Sequence, residues 1–143
     1  LYICDSMAHW SRKAAALRGA ARYLKPGALA GCNDWLAGDE GDLEGAARRL
    51  ASVRKTFQPG ILFPVDLEGE KAAFTEAGFE VISAQDITRE VDETCRRRLE
   101  ALRAYRRMLG PDELQGIPYL EVMLSLHFRF VRYGRVTARL ARD

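Results

Sequence analysis

The segment from Arg22 to Trp35, reading RYLKPGALAGCNDW, constrains the fold more than any other part of this chain. Pro26 cannot continue a helix and pushes Lys25 out of helical geometry, while Gly27 tolerates a positive φ. A helix must therefore end just before this point. Ala28 to Cys32 is a small apolar run with no polar face, the pattern of a parallel strand covered on both sides. Asn33, Asp34 and Trp35 follow at once, where such a strand would emerge. Ligands of open α/β sheets sit outside the carboxyl ends of the strands, so an amide, a carboxylate and an indole are expected on a functional edge.

The flanking sequence supplies the rest of an α/β pattern. Leu1 to Cys4 predicts a buried strand, and Asp5 to Trp10 the loop leaving its carboxyl end. Ser11 is placed to cap a helix running to about Leu24, with Leu17, Ala20, Ala21 and Leu24 on its inner face. Arg12, Lys13, Arg18 and Arg22 fall mostly on the other side. Strand, crossover helix and strand form a βαβ unit, so the first two strands are expected to be parallel neighbours.

After an acidic loop, a helix is expected from about Leu43 to Phe57, and Gln58 to Val65 (with Pro59, Gly60 and Pro64) breaks the pattern. Asp66 can cap a short helix carrying Glu68 and Glu70 in its first turn, Ala73, Phe74 and Ala77 on its inner face and Gly78 just past its end. Phe79 to Ser83 predicts a third strand, with Gln85 and Asp86 beyond its carboxyl end.

Thr88 opens a long helix to about Leu109, with Val91, Cys95, Leu99, Leu102, Tyr105 and Leu109 as its apolar stripe, stopped by Gly110-Pro111. Ile117 to Arg132 fits a further helix, with a strand as the alternative, before a turn at Tyr133-Gly134 and a terminal strand from Arg135 to Leu140. The crowded arginines Arg96, Arg97, Arg98, Arg103, Arg106 and Arg107 could grip an anionic headgroup. Asp92, Glu93 and Glu100 stand at helical spacing from several of them, which favours a solvated, self-paired face.

Composition removes several function classes. A net charge of +2 is too small for the whole molecule to be a nucleic-acid footprint, so no nucleic-acid partner is expected. Three scattered cysteines and two histidines argue against a disulfide framework or a metal site, and point to a reducing, cytoplasmic setting. No apolar run approaches the roughly 20 residues of a membrane span, so no membrane partner is expected. No Gly-x-Gly-x-x-Gly occurs.

Three stretches, in order, carry a family resemblance. Arg22 to Ala30 resembles the R-x-L-K-P-G-G segment before the fifth strand of class I S-adenosylmethionine-dependent methyltransferases. Asp5-Ser6-Met7-Ala8-His9-Trp10 is similar to the D-x-x-x-H stretch after their fourth strand, and Ala77 to Thr88 to their A-G-F-x-x-V…D-x-T segment. The likeness is to small-molecule N-methyltransferases of the phosphoethanolamine and glycine/sarcosine kind. It implies a Rossmann-like, mostly parallel sheet with flanking helices, and a terminal antiparallel strand inserted between the second and third. It also implies S-adenosylmethionine as cofactor and a small-molecule acceptor as partner.

On this reading the chain is the carboxyl-terminal part of a methyltransferase domain, an incomplete fold that awaits an amino-terminal half bearing the glycine-rich cofactor turn. His9 is the catalytic candidate, since imidazole exchanges protons near neutrality, with a loop-bracing histidine as the alternative. Asp5, Ser6 and Trp10 are expected beside the cofactor, and Asp34, Trp35 and Asp86 beside the acceptor. Trp10 has seam-filling as its plainer role, and Asp86 loop-capping. The rival reading is a non-catalytic binding or assembly module that keeps the second half of this fold.

Overall fold

The computed structural model describes residues 1–40, 42–53 and 63–142. Four strands form one sheet in the order β1 (Tyr2–Cys4), β2 (Leu29–Ala37), β4 (Val131–Leu140), β3 (Phe79–Asp86). β1 runs parallel to β2, with Ile3 opposite Cys32, and β4 is antiparallel to both β2 and β3. The inserted terminal strand is therefore present as expected. Asp34 and Asp86 both lie opposite Gly134 of β4, so β2 and β3 point the same way and end on the same side. β1 and β3 are the two edges of the sheet among the described residues.

α1 (Lys13–Ala21) crosses from β1 to β2. Its N-cap is Arg12 and no side chain caps it, so Ser11 does not have the expected role. The helix stops at Ala21, and Gly27 takes the expected positive φ of 77°. α2 (Leu43–Val53) is the next helix. The rest of its expected run, to Phe57, and the break at Gln58 with Pro59 and Gly60 lie outside the described residues. α3 (Leu67–Glu76) follows its expectation closely: the Asp66 carboxylate accepts from the Gly69 N–H at 2.8 Å, and Gly78 has φ 89°.

All three later strands reach further than periodicity predicts. β2 continues through Asn33, Asp34 and Trp35 to Ala37, so these residues lie inside the strand rather than beyond it. β3 likewise includes Gln85 and Asp86, and β4 includes Tyr133 and Gly134 in place of a turn. Gly134 is small for a reason: a Cβ there would stand 2.8 Å from Leu36 Cδ1. β2 is not covered on both faces either. Ala30, Cys32, Asp34 and Leu36 are buried, whereas Leu29 is exposed and the residues that alternate with the buried ones are only half-covered.

The chain then leaves the sheet through α4 (Thr88–Ala104), the short α5 (Pro111–Leu114) and α6 (Gly116–Leu126), returning along β4. α4 is shorter than expected: a 3₁₀ turn at Arg106–Met108 replaces its last turn, and Tyr105 is exposed rather than part of the apolar stripe. The self-paired face holds in part: Arg96 pairs with Asp92 and Arg97 with Glu93 on the same helix, whereas Arg103 reaches across to Glu121 of α6.

Two cores result. Ile3, Leu17, Cys32, Phe74, Phe79 and Val136 fill the space between the sheet and α1 and α3, with the Phe74 and Phe79 rings edge to face at 5.7 Å. Ala46, Leu50, Met123, Leu126 and Val131 form a second cluster under α2 and α6. Cys4, Cys32 and Cys95 are all free thiols.

Candidate functional site

Where β1 ends, Asp5 takes a positive φ of 49°, a geometry that Asp tolerates better than most residues, and its N–H still reaches Asn33 O at 3.0 Å. The chain then curls through a 3₁₀ turn, Met7–His9. Met7 and Ala8 are buried while His9 is exposed. What holds this turn is Asp34, itself 0 % exposed. One carboxylate oxygen accepts from the backbone N–H groups of Ser6, at 2.8 Å, and Met7; the other accepts from Trp35 N–H at 2.7 Å.

The far side of the turn is fastened as well. Phe63 N–H donates to Ala8 O at 2.7 Å, and Lys13 Nζ donates to Trp10 O at 3.0 Å and to Phe63 O. Lys13 is therefore buried, not on the outer side of α1 as its spacing from the other basic residues indicated.

A cavity of about 280 Å³ opens above this turn, walled by Asp5, His9, Asp34, Trp35, Tyr119 and Tyr133. Trp35 and Tyr133 are register partners on β2 and β4, and their rings meet edge to face at 6.1 Å. Tyr119 comes from α6. The structure thus brings four of the expected residues together: Asp5, His9, Asp34 and Trp35.

The other three lie elsewhere. Ser6 contributes its backbone N–H to Asp34, and Trp10 packs against the first core. Asp86 accepts from Thr88 N–H at 2.8 Å and pairs with Arg132 at 2.8 Å, next to a separate hollow walled by Asp39, Asp66 and Arg132. Its loop-capping role is present in full. Arg132 also holds Asp39 at 2.9 Å, clasping the ends of β2 and β3 together.

Sequence reasoning missed Tyr119 and Tyr133, and behind Tyr133 it missed a buried pair. His127 Nδ1 lies 2.8 Å from Asp92 Oδ1, the His127 side chain is fully buried, and its ring stands edge-on to Tyr133 at 5.8 Å. A carboxylate can only accept, so Nδ1 is the donor in this pair, and Nε2 is buried with no hydrogen-bond partner among the described residues. Asp92 itself was detectable, being an acid on the same face of α4 as Cys95 and Leu99.

The electrostatics follow from burial. Burial pushes the Asp5 carboxyl up, assisted by the nearby Asp34 charge and opposed by the Cys4 thiol. It also pushes the Tyr133 phenol up, so that ring stays neutral. Beneath the site, Glu70 is buried, and its Oε2 has no hydrogen-bond partner among the described residues. Burial, then the Asp34 charge, push its carboxyl up to about 7, with Lys13 acting the other way. Burial lowers Lys13 in turn, offset in part by Glu70 and Asp34.

Glu70 makes a prediction about pH. Its folded pKa lies above its unfolded value, so the protonated acid favours the folded state. That stabilisation is complete below the unfolded value and is lost as pH rises through about 7. With Lys13 offsetting part of the cost, the chain is expected to lose about 2 kcal/mol between pH 5 and pH 8 from this group. Glu70→Gln should remove the loss and be the more stable form at pH 8. Urea melts at the two pH values that leave the gap between variant and wild type unchanged would contradict this.

A neutral aromatic wall with an exposed carboxyl and an exposed imidazole at its rim suits a small cationic or amine ligand, since ring faces and carboxylates both attract positive charge. Among the described residues no group of three or more His, Cys, Asp and Glu side chains could hold a metal ion. No helix among them is long and apolar enough to cross a membrane.

No protein-family model and no curated protein matches the chain. Solved structures do. The chain is similar to phosphoethanolamine N-methyltransferase 2 of Haemonchus contortus, with a TM-score of 0.79 and 15% identity over 99% of this chain and 33% of that one. It is also similar to the cyclopropane synthase MmaA2 of Mycobacterium tuberculosis, with a TM-score of 0.69 and 16% identity over 96% and 54%. A third likeness is to the [4+2]-cyclase SpnF, with a TM-score of 0.63 and 19% identity over 99% and 49%. The chain thus spans between a third and just over half of these proteins, and at such identities the likeness is one of fold.

Proposed function

We propose that this chain is the acceptor-side part of a class I S-adenosylmethionine-dependent methyltransferase acting on a small amine. The observation that carries the reading is the cavity at the shared strand edge, where His9 and Asp5 face Trp35, Tyr119 and Tyr133. Methyl transfer is an in-line displacement and needs little beyond alignment, a proton acceptor and a dry site. The cofactor supplies the electrophilic methyl on a sulfonium. His9 would accept the proton that the acceptor nitrogen gives up on methylation. Trp35 and Tyr133 hold the amine by their ring faces, and Asp34 acts through the turn it anchors. Asp5 and the turn at Ser6 are the residues that would hold the cofactor.

The glycine-rich half of the fold is, in this reading, supplied by another stretch of polypeptide. Two features support it. α/β sheets are covered on both faces, yet Tyr2, Leu29 and Ile82 lie exposed on this one. β1, parallel to β2, also has no second neighbouring strand among the described residues. The cyclase likeness argues for testing chemistry directly, because one fold serves several reactions.

Two measurements test the proposal. Titrated into the chain alone, S-adenosylmethionine is expected to give no low-micromolar heat, and such binding would contradict the division of labour. Joined to the glycine-rich half, the chain is expected to move labelled methyl from S-adenosylmethionine onto small primary or secondary amines. Cofactor binding with no methylated amine across such a panel would leave the binding-module reading in its place.

A further inference from the structure

The end of α4 carries a patch that the proposed chemistry does not use. Tyr105 is 60% exposed and Met108 82% exposed, within one turn of each other. Arg106 and Arg107 lie between them, and Arg98 sits seven residues before Tyr105, on the same helical face. Arg96, Arg97 and Arg103 are paired with carboxylates, but Arg98, Arg106 and Arg107 have no such partner among the described residues. Glu100 on α4 and Asp112 and Glu113 on α5 are the acids nearest in sequence, and none of them forms an ion pair with these arginines among the described residues. Cations at a helix carboxyl end complement its dipole, which accounts for charge there. It does not account for an exposed methionine and tyrosine set among the charges.

We propose that this patch docks peripherally on an anionic lipid bilayer. The arginines supply the charge complementarity, since guanidinium groups bind headgroup phosphates in bidentate fashion while their stems lie along apolar surface. Met108 enters the acyl boundary, and Tyr105 takes the interfacial position that tyrosines favour at membranes. Single-stranded nucleic acid fits less well, because it needs successive aromatic faces for stacking and Met108 offers none. α4 packs on α6, which carries Tyr119 of the cavity, so docking here would hold the cavity close to the bilayer surface.

Co-sedimentation of the chain with vesicles tests this without reference to methyl transfer. Binding is expected to phosphatidylcholine vesicles containing phosphatidylserine, to weaken with added salt, and to be absent with phosphatidylcholine alone. The double change Arg106→Gln, Arg107→Gln should lower partitioning roughly 30-fold. Met108→Ser should weaken binding several-fold while keeping the salt dependence. Both variants alter exposed side chains, and unchanged circular dichroism confirms their folding. The proposal is overturned if wild type does not sediment with phosphatidylserine vesicles, if the double variant binds equally well, or if a single-stranded oligonucleotide binds tighter than the vesicles do.

Discussion

Replacing Asp34 with Ala is expected to cost roughly 3–5 kcal/mol of stability and to release the turn that bears His9. Asp34 is fully buried and its carboxylate accepts three backbone N–H bonds, from Ser6, Met7 and Trp35. Alanine removes all three acceptors at once. The Met7 N–H lies in a buried setting that offers water no easy access, so its desolvation is left uncompensated. Asparagine would fare little better, since its amide turns a donor toward at least one N–H. For a domain whose total stability is of order 5–15 kcal/mol, the loss should appear as a fall in melting temperature of about 10–20 °C. Asp86→Ala is the informative control: that carboxylate is partly solvated, its pair with Arg132 is surface-like and it caps the Thr88 N–H, so about 1–2 kcal/mol is expected. Equal effects of the two substitutions would refute the anchoring role.

The same residue explains where sequence reading reached and where it stopped. Helix ends, glycines and the cap at Asp66 are local, so Gly27, Gly78 and α3 were legible. The antiparallel insertion of β4 was legible only through the family resemblance. Strand ends were not, because Asn33-Asp34-Trp35 and Tyr133-Gly134 look like exits when read by composition. Asp34 stays inside its strand because distant backbone donors, 27 and 28 residues away, satisfy it. Periodicity carries no information about such partners.

One signal was present and passed over. Lys13, Glu70 and Asp92 each occupy the apolar stripe of their helix, spaced with Leu17, with Ala73 and Phe74, and with Leu99. All three are buried, and each contributes to the setting of the site: Lys13 ties Trp10 O to Phe63 O, Glu70 lies beneath Asp34, and Asp92 holds His127. A charge on an apolar stripe costs too much to bury without a partner, so it marks a polar contact that the rest of the fold must supply.

On the proposed reading an amine is methylated in the cavity beside His9, and the turnover of a His9→Ala enzyme shows whether it is. His9 is exposed at the cavity wall, while its neighbours in the turn carry the packing and the backbone bonds. Its removal should therefore leave the melting temperature within a degree or two of wild type, as for surface changes generally. If His9 accepts the acceptor's proton, kcat of the chain joined to a glycine-rich half should fall by roughly 10²-fold. The fall should appear in kcat and in kcat/KM alike, because the proton moves only in the transition state. A folded His9→Ala enzyme with undiminished kcat would contradict the account.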